Sequence, residues 1–144
     1  MNLEWVIPCR YVEVHDNLGT IVGAGIDTWW VLELPTTINV VLAIRLLAMA
    51  DELGEDVQHT AVNRVRDPHG DVVSEVVGEF AMGGGEAANP EWLTGIMVNT
   101  VVQVEVTEEG TYTIEHEIDG STLSLPIHVV NGPPPGVELP EAEG

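Results

Sequence analysis

The chain has 144 residues, with 24 Asp+Glu against four Arg and no Lys, and a formal net charge of −20. That length suits one domain, and 44% hydrophobic residues supply enough Val, Ile and Leu to pack a core rather than leave a charged coil. Without lysine there is no P-loop lysine, Schiff base or lysine general base. The cations Arg10, Arg45, Arg64 and Arg66 are too few for a surface that tracks phosphates, so neither nucleic acid nor an anionic membrane is expected as a partner.

The charge is uneven: residues 1–50 sum to −3, residues 51–100 to −8 and residues 101–144 to −9. Cys9 is the only cysteine, so no intramolecular disulfide forms, which favours a reducing compartment. The start, Met1 to Trp5, lacks the basic and apolar regions of a signal peptide. The longest apolar stretch, Val40 to Ala50, is too short to span a bilayer and contains Arg45. A cytoplasmic location is expected, or a virion if the gene is a phage's.

In chain order, Arg10–His15 and Thr20–Ala24 flank a turn over Asp16-Asn17-Leu18-Gly19 and predict a hairpin, with Ile26–Leu32 continuing as a third strand. Ile38, Val40, Leu42, Ile44 and Leu46 alternate as in a strand, whereas Leu42, Leu46, Met49 and Leu53 have helical spacing. The all-β surroundings decide for a strand to about Leu47, then a short helical turn over Ala48–Leu53. Val57–Val65 and Val72–Phe80 read as strands joined through Asp67-Pro68-His69-Gly70. Gly83–Pro90 reads as a mobile loop before a strand over Ile96–Val106.

The clearest unit is C-terminal. Tyr112, Ile114, His116 and Ile118 share one face, Asp119-Gly120 supplies the positive-φ residues of a two-residue turn, and Leu123, Leu125, Ile127 and Val129 share a face on the return. Pro126 lacks an N–H, which places this strand at an edge or gives it a bulge. Past Val130 the alternation stops, leaving residues 1–130 as one domain and residues 131–144 as a Pro/Glu-rich flexible tail. The expected architecture is an all-β antiparallel sandwich, immunoglobulin-like or C2-like, with at most one short helical turn.

Sites of chemistry are sparse in the sequence. His15, His59, His69, His116 and His128 lie on separate segments and, with Cys9, make no CxxC, HxH or HExxH pattern, so no transition metal and no other cofactor is expected. His116, sharing its face with Tyr112 and two isoleucines, reads as a half-buried strand histidine. Calcium is the stronger metal hypothesis, with Asp51, Glu52, Glu55 and Asp56 on one loop and Asp67 and Asp71 on another. Geometry weakens it, because successive hairpin turns lie at opposite ends of the strands. Ser74, Ser121 and Ser124 lack a nucleophile elbow. Cys9 and His15, six residues apart, are about 20 Å apart along an extended strand. No enzyme is expected.

The tryptophans are the most suggestive residues. Trp29 and Trp30 are adjacent on a predicted strand and must face opposite sides, so one enters the core and the other faces solvent, the chain's own loop or tail, or a partner. Trp5 and Trp92 lie in peripheral segments and extend the same reading.

The run from Ile7 through Tyr11, Glu13 and Asp16, then Ile21-Val22-Gly23-Ala24-Gly25-Ile26-Asp27, Trp30 and Pro35, resembles the opening of an uncharacterised family of small single-domain bacterial proteins, chiefly actinobacterial, with their phages as a further expected source. The resemblance continues through Ala43-Ile44-Arg45, Val65-Arg66-Asp67-Pro68-His69-Gly70, Val77-Gly78-Glu79-Phe80 and Gly110-Thr111-Tyr112 to Val129. It implies a β-sandwich and brings no catalytic residues. The expected function is a non-enzymatic structural or interaction module that self-associates or docks on a protein partner. A phage capsid decoration protein and a calcium- or ligand-binding module are the alternatives.

Overall fold

The computed structural model describes residues 1–83 and 89–141. Among them the chain forms ten strands: β1 (Asn2–Cys9), β2 (Tyr11–His15), β3 (Leu18–Val22), β4 (Thr28–Val31), β5 (Thr36–Ala48), β6 (His59–Arg66), β7 (Val72–Phe80), β8 (Thr94–Val106), β9 (Gly110–Ile118) and β10 (Ser121–Asn131). One turn of 3-10 helix, Ala50–Glu52, follows β5. The predicted strand and short helical turn over 38–53 are therefore both present. The expected Gly83–Pro90 loop lies largely outside the described residues.

Two sheets face each other, a three-stranded one in the order β1-β5-β8 and a five-stranded one in the order β4-β10-β9-β6-β7. Between them Val40, Leu42, Ile44 and Leu46 of β5 and Val104 and Val106 of β8 meet Tyr112 and Ile114 of β9 and Ile127 of β10, all essentially without solvent contact. These side chains come from alternating positions on each strand, as the pleat requires.

The expectation of a wholly antiparallel sandwich needs one correction. Residues 28–31 do not continue the N-terminal hairpin; as β4 they cross to the opposite sheet and pair in parallel with His128–Asn131 of β10. The hairpin β2–β3 instead forms its own two-stranded layer, with a turn tighter than expected: Asp16 and Asn17 alone occupy it, both at positive φ. It lies over the outer face of the three-stranded sheet, where Val12, Cys9 and Ala43 form a second, smaller core with Trp5, Val14, Ile21 and Val41 around it. Asn17 clamps the hairpin tip to β8 by donating to the Gly95 carbonyl at 2.6 Å and accepting from the Met97 N–H at 2.7 Å.

Pro126 sits in β10 opposite Thr113 of β9, and β4 joins the other side of β10 only from His128 onward. At Pro126 that side is a local edge, so no ladder bond is lost there.

The chain passes from β8 in one sheet to β9 in the other through Thr107–Glu109, and Tyr112 fixes this corner. Its buried hydroxyl accepts from the Thr107 N–H at 3.1 Å and donates to the Glu108 carbonyl at 3.2 Å. A tyrosine bonded back to the backbone just upstream is a recurrent device at sandwich corners. Tyr112→Phe leaves these buried groups without a partner and is expected to cost about 1–3 kcal/mol in denaturant unfolding. An unchanged midpoint would show that the corner is held by packing alone.

Candidate functional site

The two sheets differ in width, and the difference opens one flank. On the other flank β1 lies beside β10, where the Leu3 N–H donates to Ser121 Oγ. On this flank β8 is the last strand of its sheet, whereas β6 and β7 continue the opposite sheet past it. The inward-pointing positions of β7 are Ser74, Val76, Gly78 and Phe80, which pair with Val65, Asn63, Ala61 and His59 of β6. With no strand beneath it among the described residues, Val76 is 61% exposed although it points toward the other sheet. Val72, Val73 and Val77 are exposed as well, giving four exposed valines on one free edge strand. A groove of about 390 Å³ runs between Ser74 and Val76 on one side and Thr100–Gln103 of β8 on the other.

Adjoining it along the same opening is a second, half-open cavity of about 280 Å³, sharing Asn63 and Thr100 with the groove. Ile44, Leu46, Phe80, Val98 and Ile118 make most of its wall, and His116 enters it from β9. His116 Nδ1 lies 2.6 Å from Asn63 Oδ1 on the neighbouring strand. Burial pushes the imidazole below the ordinary histidine range, so the ring is neutral at pH 7. A neutral ring facing an amide oxygen donates from Nδ1, which leaves Nε2 as an acceptor. Nε2 is buried and has no protein partner among the described residues.

The outer face of the five-stranded sheet consumes half of the chain's arginines. Arg64 Nε donates to Glu75 of β7 at 2.6 Å and its Nη1 to Glu117 of β9 at 2.8 Å, while Arg66 Nε donates to Glu115 at 2.6 Å. Two strand cations thus hold three carboxylates on the neighbouring strands.

The sequence-singled tryptophans do not come together. Trp29 is half-buried against the main core, and Trp5 is half-buried beneath the β2–β3 hairpin. Trp30 is 39% exposed and, with Pro134 of the C-terminal segment, lines a cleft that also includes Trp29. Trp92 is exposed in the loop before β8.

The acidic loops are engaged structurally. Glu52 pairs with the Met1 ammonium and accepts the Met49 N–H, and Asp67 Oδ1 accepts the His69 and Asp71 N–H groups, closing the β6–β7 turn. Glu55, Asp56 and Asp51 lie with Glu52 on the other loop, whose Glu52 carbonyl contacts His59 at the Asp119 end of the strands, whereas the 67–71 turn approaches Glu108 through His69. Among the described residues no three His, Cys, Asp or Glu side chains form a group able to hold a metal ion. The histidines are likewise dispersed: His15 contacts Glu13, His69 contacts Glu108 and His128 contacts Thr111. Cys9 is buried, which pushes its thiol up despite backbone bonds from Ala43 and Tyr11, the reverse of an activated nucleophile. Among the described residues no helix is long and apolar enough to cross a membrane.

His59 ties the ends of three segments together. Its Nδ1 lies 2.6 Å from Asp119 Oδ2 and its Nε2 lies 2.7 Å from the Glu52 carbonyl, while Asp119 Oδ1 accepts the Thr60 N–H at 3.0 Å. From the sequence Asp119 reads as a turn residue and a loop carboxylate; a partner 60 positions away leaves no local signal.

An all-β sandwich of two unequal sheets, with an added hairpin layer and one open flank, is the class of protein this geometry defines. The chain belongs to a family of unknown function (DUF6941), whose model matches residues 4–130. No curated protein matches it.

The Asp119 carboxyl is held below its ordinary range. Burial pushes it up, but the Thr60 N–H, the His59 ring and the positive N-terminus outweigh that. Its stabilisation is therefore present above the ordinary aspartate range and is lost as the pH falls through the lowered folded value. Asp119→Asn keeps a residue tolerant of positive φ and is expected to cost about 1 kcal/mol at neutral pH, the charge-assisted bond being discounted for partial exposure. The gap to the unmodified chain should close as the pH falls below about 4. A gap that persists in acid would assign the loss to the turn instead.

Proposed function

We propose that the protein is a non-enzymatic structural module that self-associates through the free edge of β7. The observation that carries this reading is the row of exposed valines, Val72, Val73, Val76 and Val77, on a strand whose outer edge has no partner among the described residues. Natural edge strands are ordinarily protected by charge, proline or a bulge, and β7 has its irregularity only near its start, opposite Val65 and Arg66. Its middle is open to pairing.

Charge excludes the registers centred on Glu75, Val77 and Glu79, and centring on Val76 sets the middle of β7 at the two-fold axis. In a two-fold antiparallel pair, residues opposite each other must lie on the same face of the joined sheet. Centring on Val77 would set Glu75 against Glu79 of the second copy. Centring on Val76 sets Val76 against itself, Ser74 against Gly78 and Glu75 against Val77, with no carboxylate facing another, and is the register we assign. The sandwich reads as loosely immunoglobulin-like on the strength of the Tyr112 corner, and its lone buried thiol suits a cytoplasmic setting.

Light scattering coupled to size exclusion tests the proposal. The chain is expected to show a concentration-dependent dimer whose population rises with salt, because salt screens the repulsion between two copies of net charge −20. Val76→Lys sets two ammonium groups against each other and should give a monomer. Val77→Lys sets an ammonium against Glu75 of the second copy and should retain the dimer. A monomer at all concentrations and salt levels would overturn self-association, and equal loss in both variants would overturn the register.

A further inference from the structure

We propose that the cavity around His116 is a binding site for a small, neutral, largely apolar molecule that carries a single hydroxyl or N–H donor, which it presents to His116 Nε2. Most of the wall is hydrocarbon, from Ile44, Leu46, Val98, Ile118 and Phe80, with Asn63, Asn99 and Thr100 as polar members beside His116. At about 280 Å³ the space is far larger than the ~30 Å³ share of one water, and larger than the ~150 Å³ engineered cavity that accommodates benzene. A one- or two-ring molecule fits that volume.

The polar atom that sets what the molecule must carry is the one left unpartnered. His116 is 3% exposed, and its Nε2 is buried without a protein partner among the described residues. The bond between Nδ1 and Asn63 Oδ1 fixes the tautomer, so the inward nitrogen offers a lone pair and no proton. A buried acceptor left unmet carries its full desolvation cost, and a donor that reaches it recovers that cost. An anion would meet a lone pair here and a net-negative chain around it, so acids are disfavoured. The opening between β6–β7 and β8, where Asn63 and Thr100 belong to both groove and cavity, gives an entry path. This site differs from the outer edge of β7 used in the self-association proposal, and stands independently of it.

Phenol and toluene, which differ by one hydroxyl in place of a methyl, are the probes. Each is titrated against the full chain with the ¹⁵N shift of His116 Nε2 and the melting temperature as readouts. Phenol is expected to bind about tenfold more tightly than toluene, the worth of one neutral hydrogen bond, and to move the Nε2 resonance. His116→Phe, checked for folding by circular dichroism, should lose the preference for phenol. Ala61→Leu, which fills the cavity, should lose both probes. If neither probe binds, if the two bind equally to the unmodified chain, or if phenol binds without moving Nε2, the proposal fails. The comparison on the unmodified chain decides the matter even if the histidine variant does not fold.

Discussion

Strand β5 is buried along its inner face and covered around Ala43 on its outer one, and the rest of the molecule is arranged around that constraint. Val40, Leu42, Ile44, Leu46 and Ala48 supply the floor of the main core, while Ala43 and the half-buried Val41 on the reverse face supply the second core. A strand with two apolar faces must be covered twice. The five-stranded sheet covers one face, and the β2–β3 hairpin covers the other. Ala43, without solvent contact, is small enough for Cys9 and Val12 to close over it. β8 pairs along the whole of one edge of β5, and β1 pairs with Val41–Leu47 on the other.

The open flank follows from the count of strands. Three strands cannot cover the inner face of five, so the overhang of β6 and β7 must be exposed, filled by a ligand or covered by another chain. The outer face of the overhang is well served, because Arg64 and Arg66 bridge to Glu75, Glu115 and Glu117. Its edge strand carries the exposed valines Val72, Val73, Val76 and Val77. That row lies at the opposite edge of the sheet from β4 with its two tryptophans.

The elements with clean alternation were legible in the sequence. The β9–β10 hairpin, its Asp119-Gly120 turn and the inward set of Tyr112, Ile114, His116 and Ile118 are where the pattern places them. Strand β5 was ambiguous because Leu42, Leu46, Met49 and Leu53 run on at helical spacing through its end into the 3-10 turn, beside the strand alternation of Ile38 to Leu46. Strand β1 was missed: Asn2, Glu4 and Pro8 break the apolar pattern, and its place is fixed by pairing with residues about forty positions later. The parallel docking of β4 on β10 joins segments about a hundred residues apart, and no local signal encodes it. The same holds for the site. His116 was rightly placed on the core face, yet its bond to Asn63 and the cavity beyond it arise only when β6, β8 and β9 are brought together. The tryptophans drew attention as rare, large residues, but burial distributes them over separate layers.

The most direct test of the account is residue-resolved amide hydrogen exchange of the full chain at low and high protein concentration. If the open flank is where the molecule associates, amides of β7 around Val76 gain protection as concentration rises, while those of β4 around Trp30 do not change. Protection gained at β4 with β7 unaffected would contradict the account, and would return the contact surface to the tryptophans.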